Sequence, residues 1–252
     1  MASQLARTPI QIVQSAWKRI APLELADNSW DNIFSGLKSL TLANPLQSSL
    51  LKLAASGISV FSPHTSLDSI DGGINNWYGL ASPFAANASS VKPIQPKFSS
   101  EAATPSHLCG HASAGMGRIV TLEEGKGMEL SDVVAKVKEL LGMKYIQLAR
   151  PALSSPAPSK IQSVAICAGS GASLFKGLDA DCYFTGEMSH HETLALTQKG
   201  KSVIVCNHTN TERPYLRHIL QGWLKKELDA EDAGSSWEVV VSDMDRDPLE
   251  VV

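Results

Sequence analysis

Apolar positions along the chain follow two periods, and the alternation between them predicts a layered α/β protein. Ile10, Val13, Trp17 and Ile20 recur at helical spacing behind Pro9, whose fixed φ suits a first helical turn. Residues 48–55 (SSLLKLAA) form a second amphipathic stretch, closed by Gly57 and followed by the apolar run 58–61 (ISVF). That succession predicts helix, stop and buried strand. The segment 82–113 is rich in Ala, Ser and Pro, shows no period and reads as a connector. Order returns with a strand at 117–122 (GRIVTL) and a helix at 130–142 (LSDVVAKVKELLG), with Ser131 as N-cap and Gly142 at its end.

From there strands and helices alternate. Strands are predicted at 163–168, 180–184 and 201–206, with a last one at 237–242. One helix opens within 186–192 and runs to about Lys199, and another covers 215–227. The pattern predicts an α/β fold with mainly parallel or mixed sheets flanked by helices, and it puts function at the C-terminal ends of strands. It divides the chain into an N-terminal lobe (1–92), a connector (93–113) and a C-terminal lobe (114–252).

Composition narrows the class of function. With 252 residues, 43% hydrophobic and 19% charged, the chain can bury a sizeable core and is not a disordered polymer. Its 22 basic residues stand against 25 acidic ones, a formal net charge of −3 that offers no basic field to a nucleic-acid backbone. Direct DNA or RNA binding is therefore not expected. No run of about twenty apolar residues occurs, so no membrane-spanning helix is expected. Cys109, Cys167, Cys182 and Cys206 form no C-x-x-C pair, and Cys167 and Cys206 lie in apolar runs. They read as reduced, buried thiols rather than disulfides or zinc ligands, which gives a cytoplasmic location as the expectation. Arg7, Lys18 and Arg19, with no acid before Glu24, keep a mitochondrial presequence as the alternative to an ordinary first helix.

Three stretches carry candidate chemistry, each just after an apolar run. In VIVCNHTNTER (203–213), His208 is followed four residues later by Glu212 on what should be a first helical turn, which brings imidazole and carboxylate together. Such a pair suits Zn, Fe, Mn or Co, and equally describes an ordinary helix entry. SPHTSLD (62–68) repeats the spacing with His64 and Asp68, and GINNW (73–77) follows as a candidate pocket wall. GEMSHHE (186–192) supplies Glu187, His190 and His191; adjacent helical histidines cannot both face one point, so at most one reaches a site. AGSG (168–171) is a glycine turn between strand and helix, either a structural tight turn or a cradle of backbone N–H groups for an anion, without the spacing of a dinucleotide fingerprint or the lysine of a P-loop.

Taken together and in order, WDN (30–32), SPHTSLD with GINNW, GMGRIVTL, CAGSGAS, DCYFTGEMSHHETL, CNHTNTER and the ending SDMDRDPLEVV resemble the NIF-three-like family of dinuclear metal-centre proteins. The resemblance implies an α/β fold, a divalent metal ion (Zn, Fe or Mn) in the cavity of a toroidal homo-oligomer, commonly a hexamer, and metal ligands at Asp68, His208 and Glu212 with His64 close by. One departure stands out. In the family WDN leads into a glycine loop, strand, helix and strand, and then a His-Pro-Pro-Ile-Phe motif whose histidine is a ligand. Here Asn32 is followed at once by Ile33-Phe34-Ser35-Gly36-Leu37-Lys38, as though that motif's tail were joined directly to WDN. The truncated N-terminal lobe is expected to be destabilised or reorganised, and one weakly held metal is expected rather than a tight pair.

Two functions remain open on these grounds. One is a metal-dependent hydrolase of a small nucleotide-like or phosphorylated substrate, with a GTP cyclohydrolase-like activity suggested by bacterial relatives. Its metal would be held by Asp68, His208 and Glu212, with Glu187 or His190 moving protons. The other is a protein-interaction module whose partner is a transcriptional regulator, the metal being structural or vestigial. A metal-chaperone or storage role is a third reading that sequence does not separate.

Overall fold

The computed structural model of the chain describes residues 7–27, 41–63, 65–76 and 80–250. Contacts divide it into two units, Met1–Leu67 with Trp223–Glu238, and Asp68–Gly222 with Val239–Val252. The sequence boundaries at 92 and 113 both fall inside the second unit.

In the first unit α1 spans Pro9–Ile20, where Pro9 and the helical spacing placed it. The Thr8 N–H donates to Gln11 Oε1 at 2.8 Å and closes the open N-terminus. Ile12, Ala16, Trp17 and Ile20 are buried, with Ile10 and Val13 half-buried beside them. The polar edge of α1 is tied down by Arg19, whose Nε donates to Glu227 Oε2 at 2.6 Å, and by ion pairs of Arg7 and Arg19 with Glu231. The second helix, α2, spans Pro45–Ala55 and ends as predicted at Gly57, whose φ is +72°.

The strand expected at 58–61 is not formed. Ile58 and Val60 are each 52% exposed, and no strand among the described residues pairs with this run. A buried strand needs partners for its backbone groups and cover for its apolar face, and apolar composition alone supplies neither. The junction at Asn32 and the segment 33–38 lie outside the described residues, as does His64.

The second unit is built on one six-stranded sheet. Its strands are β1 (Ala88–Lys92), β4 (Arg118–Leu122), β5 (Gln147–Ala149), β6 (Ser163–Ser170), β7 (Cys182–Glu187) and β8 (Ser202–Val205), in the order β1-β4-β6-β7-β8-β5. A separate antiparallel pair joins β2 (Gln95–Pro96) to β3 (Gly115–Met116). Only the central β6, β7 and β8 run parallel; β1, β4 and β5 are antiparallel to their neighbours, so the sheet is mixed. The parallel strands are the near-continuous apolar runs of the sequence, as burial on both faces requires. Ala165, Cys167, Phe175, Ala180, Tyr183 and Val203 pack together in this core, with the Phe175 and Tyr183 rings 5.2 Å apart and tilted edge to face.

The helices α4 (Leu130–Leu141), α5 (His190–Thr197) and α6 (Arg213–Tyr215) belong to this unit, α3 (Ser66–Ser69) spans the boundary in sequence, and α6 continues through a π-helical turn (Leu216–Leu220) into α7 (Gln221–Glu231), most of which belongs to the first unit. Two corrections concern the ends of elements. The N-cap of α4 is Glu129 rather than Ser131. Residues 237–242 form no strand; their carbonyls are met by side chains, with Gln221 Nε2 donating to the Val239 carbonyl at 2.7 Å and Arg213 Nη2 to that of Ser242 at 2.6 Å. The connector also contains more structure than predicted, since β1 and β2 lie at or beside it. Among the described residues no helix is long and apolar enough to cross a membrane.

Candidate metal centre

The C-terminal ends of the three parallel strands deliver the candidate residues to one place, as this class of sheet does. Gly169 sits at the end of β6, in a pairing irregularity between Cys167 and Ser170; Glu187 is the last residue of β7; His208 follows β8 by three residues. The strand ends approach closely at Gly186, where an added Cβ would stand 2.8 Å from the Asn207 and Gly169 carbonyl oxygens.

His208 is held between two carboxylates. Its Nδ1 lies 3.2 Å from Glu187 Oε1, and its Nε2 lies 3.3 Å from Glu212 Oε1. A neutral imidazole carries one ring proton, so it can donate to only one of these carboxylates at a time. Asp68 adds a third carboxyl group. Burial first, and then the neighbouring Glu212, push its carboxyl up to about 7, while His208 and Arg118 act the other way. Part of Asp68 still reaches solvent, so the protein packs densely around the carboxylate without sealing it. Cys167, buried beside the cluster, has its thiol pushed up to about 12 by burial and then by Asp68 and Glu212.

The supporting residues are mostly ones that sequence reasoning did not single out. Asn75 accepts from the Ala168 N–H at 2.7 Å and donates to the Asp68 carbonyl at 3.2 Å, fastening the Asp68 turn to the end of β6. Thr211 accepts from the Gly169 N–H at 2.9 Å and donates to the His208 carbonyl at 2.7 Å. Arg118, only 1% exposed, donates to the carbonyls of Gly115, Gly117, Ser69 and Ile70, at 2.6–3.2 Å. It is a buried cation satisfied by backbone oxygens, and its charge faces Asp68 and Asp71. The signals for these roles were single polar residues within GINNW, GMGRIVTL and NHTNTER, none of which composition marks out.

His190 is not brought into this cluster. It is the first residue of α5, exposed, with its ring 5.4 Å from that of His191. The helix start is capped by Ser189 and Glu192 instead, with the Ser189 N–H donating to Glu192 Oε2 at 3.1 Å. Among the described residues no three His, Cys, Asp or Glu side chains stand in metal-holding geometry. The donor types nevertheless suit a divalent cation: two carboxylates flank one imidazole, and a third, Asp68, lies in their electrostatic field.

Gly169 makes the close approach possible. Its φ is +63°, and an added Cβ would stand 2.7 Å from His208 Nε2 and 3.3 Å from Glu212 Oε1. Gly169→Ala is expected to cost about 1–2 kcal/mol from the left-handed backbone alone and to push the imidazole aside. Thermal melts and a Mn2+ titration check this; unchanged Mn2+ uptake would show that the His208 position does not matter.

A model of the family described as Duf34/NIF3 (NGG1p interacting factor 3) matches residues 31–248 of the chain. The chain is 42% identical over 217 residues to the Protein NIF3 homolog of Schizosaccharomyces pombe, covering 86% of this chain and 72% of that protein. It is 40% identical over 215 residues to the NGG1-interacting factor 3 of Saccharomyces cerevisiae, covering 82% and 67%. The crystal structure of the Staphylococcus aureus protein SA1388 superposes with a TM-score of 0.68 at 18% identity, over 96% of this chain and 99% of that one. At that identity the likeness concerns the fold.

Proposed function

The chain belongs to the Duf34/NIF3 family, and from that premise we propose that it is a metal-dependent hydrolase of a small nucleotide-like or phosphorylated substrate, GTP cyclohydrolase-like in reaction type. The observation that supports this reading is the convergence of Glu187, His208 and Glu212, with Asp68 in their field, at the ends of parallel strands. Asp68, His208 and Glu212 would hold one divalent cation, Zn, Fe or Mn, and His64 is the remaining candidate ligand. When bound, such an ion supplies Lewis-acid chemistry and lowers the pKa of a coordinated water.

The residues of the chain do the rest. Glu187 is exposed at the end of β7, is the carboxylate not assigned to the ion, and takes up a proton at Oε1 as general base. Asn75, Thr211 and Arg118 hold the loops that carry the cluster in place through backbone bonds. His190 stays in the proposal as a proton carrier only if a substrate bridges to it. A cavity of about 550 Å3, lined in part by Lys144, Tyr145, Asn207, Asn210 and Arg246, opens beside the loop that carries His208 and is large enough for a small substrate. The same proposal includes a homo-oligomeric assembly, which sedimentation of the purified chain reads directly.

The test is turnover of a panel of nucleotides and phosphorylated small molecules with added Mn2+ or Zn2+, comparing wild type with Glu187→Gln. Turnover that needs the ion and falls at least about 100-fold in the variant, with ion uptake kept, is expected. Equal turnover in both proteins would remove Glu187 from the chemistry. A second reading, partner binding, has one support: the yeast relative is named for interaction with NGG1. It predicts capture of a transcriptional regulator that is unchanged when Glu212 is replaced by alanine.

A further inference from the structure

The turn that spaces His208 from Glu212 is a short 3-10 helix, Thr209–Thr211, and His208 occupies its N-cap position. N-cap residues are usually Ser, Thr, Asp or Asn because their side chains accept from the open N–H groups of the first turn. His208 makes no such bond; its imidazole is turned to Glu187 and Glu212. The missing acceptor arrives from the far end of the chain. Asp247 Oδ2 accepts from the Thr209 N–H at 3.1 Å, while Asp247 Oδ1 accepts from the Leu249 N–H at 3.0 Å.

Asp247 is delivered in register. Arg217 pairs with Asp243, Arg213 pairs with Asp245, and Thr209 bonds Asp247, so each step of four residues on the helical run meets a step of two on the tail. Arg213 also donates to the Ser242 carbonyl at 2.6 Å, and Asn207 Nδ2 to that of Leu249 at 3.3 Å. The outer ion pairs are exposed and contribute little alone; their effect is alignment.

We propose that Asp247 is a positioning residue that caps the His208–Glu212 turn in place of His208, and so frees the imidazole for a divalent cation. The inference rests on the metal-site reading above, and its test separates the two. Amide hydrogen exchange at Thr209 and Mn2+ affinity are measured on the full chain for wild type, Asp247→Ala and Asp247→Asn. Asp247→Ala is expected to speed Thr209 exchange and weaken Mn2+ each about tenfold, the size of losing one cap. Asp247→Asn keeps an acceptor oxygen and is expected to retain both to within about threefold. Unchanged exchange in Asp247→Ala overturns the cap. Faster exchange with unchanged Mn2+ affinity overturns the positioning role, leaving the bond merely structural. If the wild-type chain takes up no Mn2+, the metal reading fails, and the exchange data alone decide the cap.

Discussion

Replacing Glu212 by alanine is expected to lower the affinity of the chain for Mn2+ by at least about 100-fold, since loss of residues that only support a ligand already costs about 10–100-fold. Glu212 faces His208 Nε2 at 3.3 Å and its charge raises Asp68, so it belongs to the cluster rather than its surroundings. The fold is expected to survive. Removing the Glu212 carboxylate relieves Asp68, so the metal-free variant should melt within about 1 kcal/mol of wild type. Isothermal titration with Mn2+, read beside a thermal melt, gives both quantities. Wild-type affinity in the variant would mean that the cation, if one binds, binds elsewhere.

The second large effect is a pH dependence of stability with an unusual sign. Most carboxylates in folded proteins are held low and stabilise as pH rises. Asp68 is held high, about 7 against an ordinary 3.8, mainly because its charged form is desolvated. Between those values the folded state binds more protons than the unfolded state, so stability must fall as pH rises. The contribution is complete below about pH 4, is lost progressively, and is gone above about pH 7; its ceiling is on the order of 4 kcal/mol. Urea melts at pH 5 and pH 8 isolate it by comparison with Asp68→Asn, which cannot ionise. The wild type is expected to lose more stability over that interval than the variant, and saturating Mn2+ at pH 8 is expected to restore much of it. Parallel behaviour of the two proteins would show that Asp68 ionises freely.

The parts of the fold that were legible in the sequence are those where local pattern and tertiary need coincide. The apolar runs of β6, β7 and β8 could only be buried strands, and Gly142 at φ +64° ends α4 as its place in the pattern required. The same reasoning failed where pattern had no partner. Residues 58–61 look like a strand but pair with none among the described residues, and 237–242 find Gln221 and Arg213 side chains instead of a neighbouring strand. In the other direction β1, ASSVK, is an edge strand, and β5 is only three residues long; neither carries enough apolar side chain to announce itself.

The candidate centre shows the same division. The His-x-x-x-Glu spacing from His208 to Glu212, and the position of Glu187 after an apolar run, made these three readable, and the structure places each glutamate within 3.3 Å of His208. His190 looked equivalent to Glu187 in the sequence, yet the cap formed by Ser189 and Glu192 sets α5 so that His190 stays exposed. Asn75, Thr211 and Asp247 act through backbone groups distant in sequence, by 93, 42 and 38 residues. No local spacing carries that information.

The most direct measurement is the metal content of the purified full chain by elemental mass spectrometry after equilibration with Mn2+, Zn2+ and Fe2+ and removal of free ion. About one ion per chain, absent from Glu212→Ala, is the expected result. A folded wild-type chain that retains none would contradict a cation site at Asp68, His208 and Glu212.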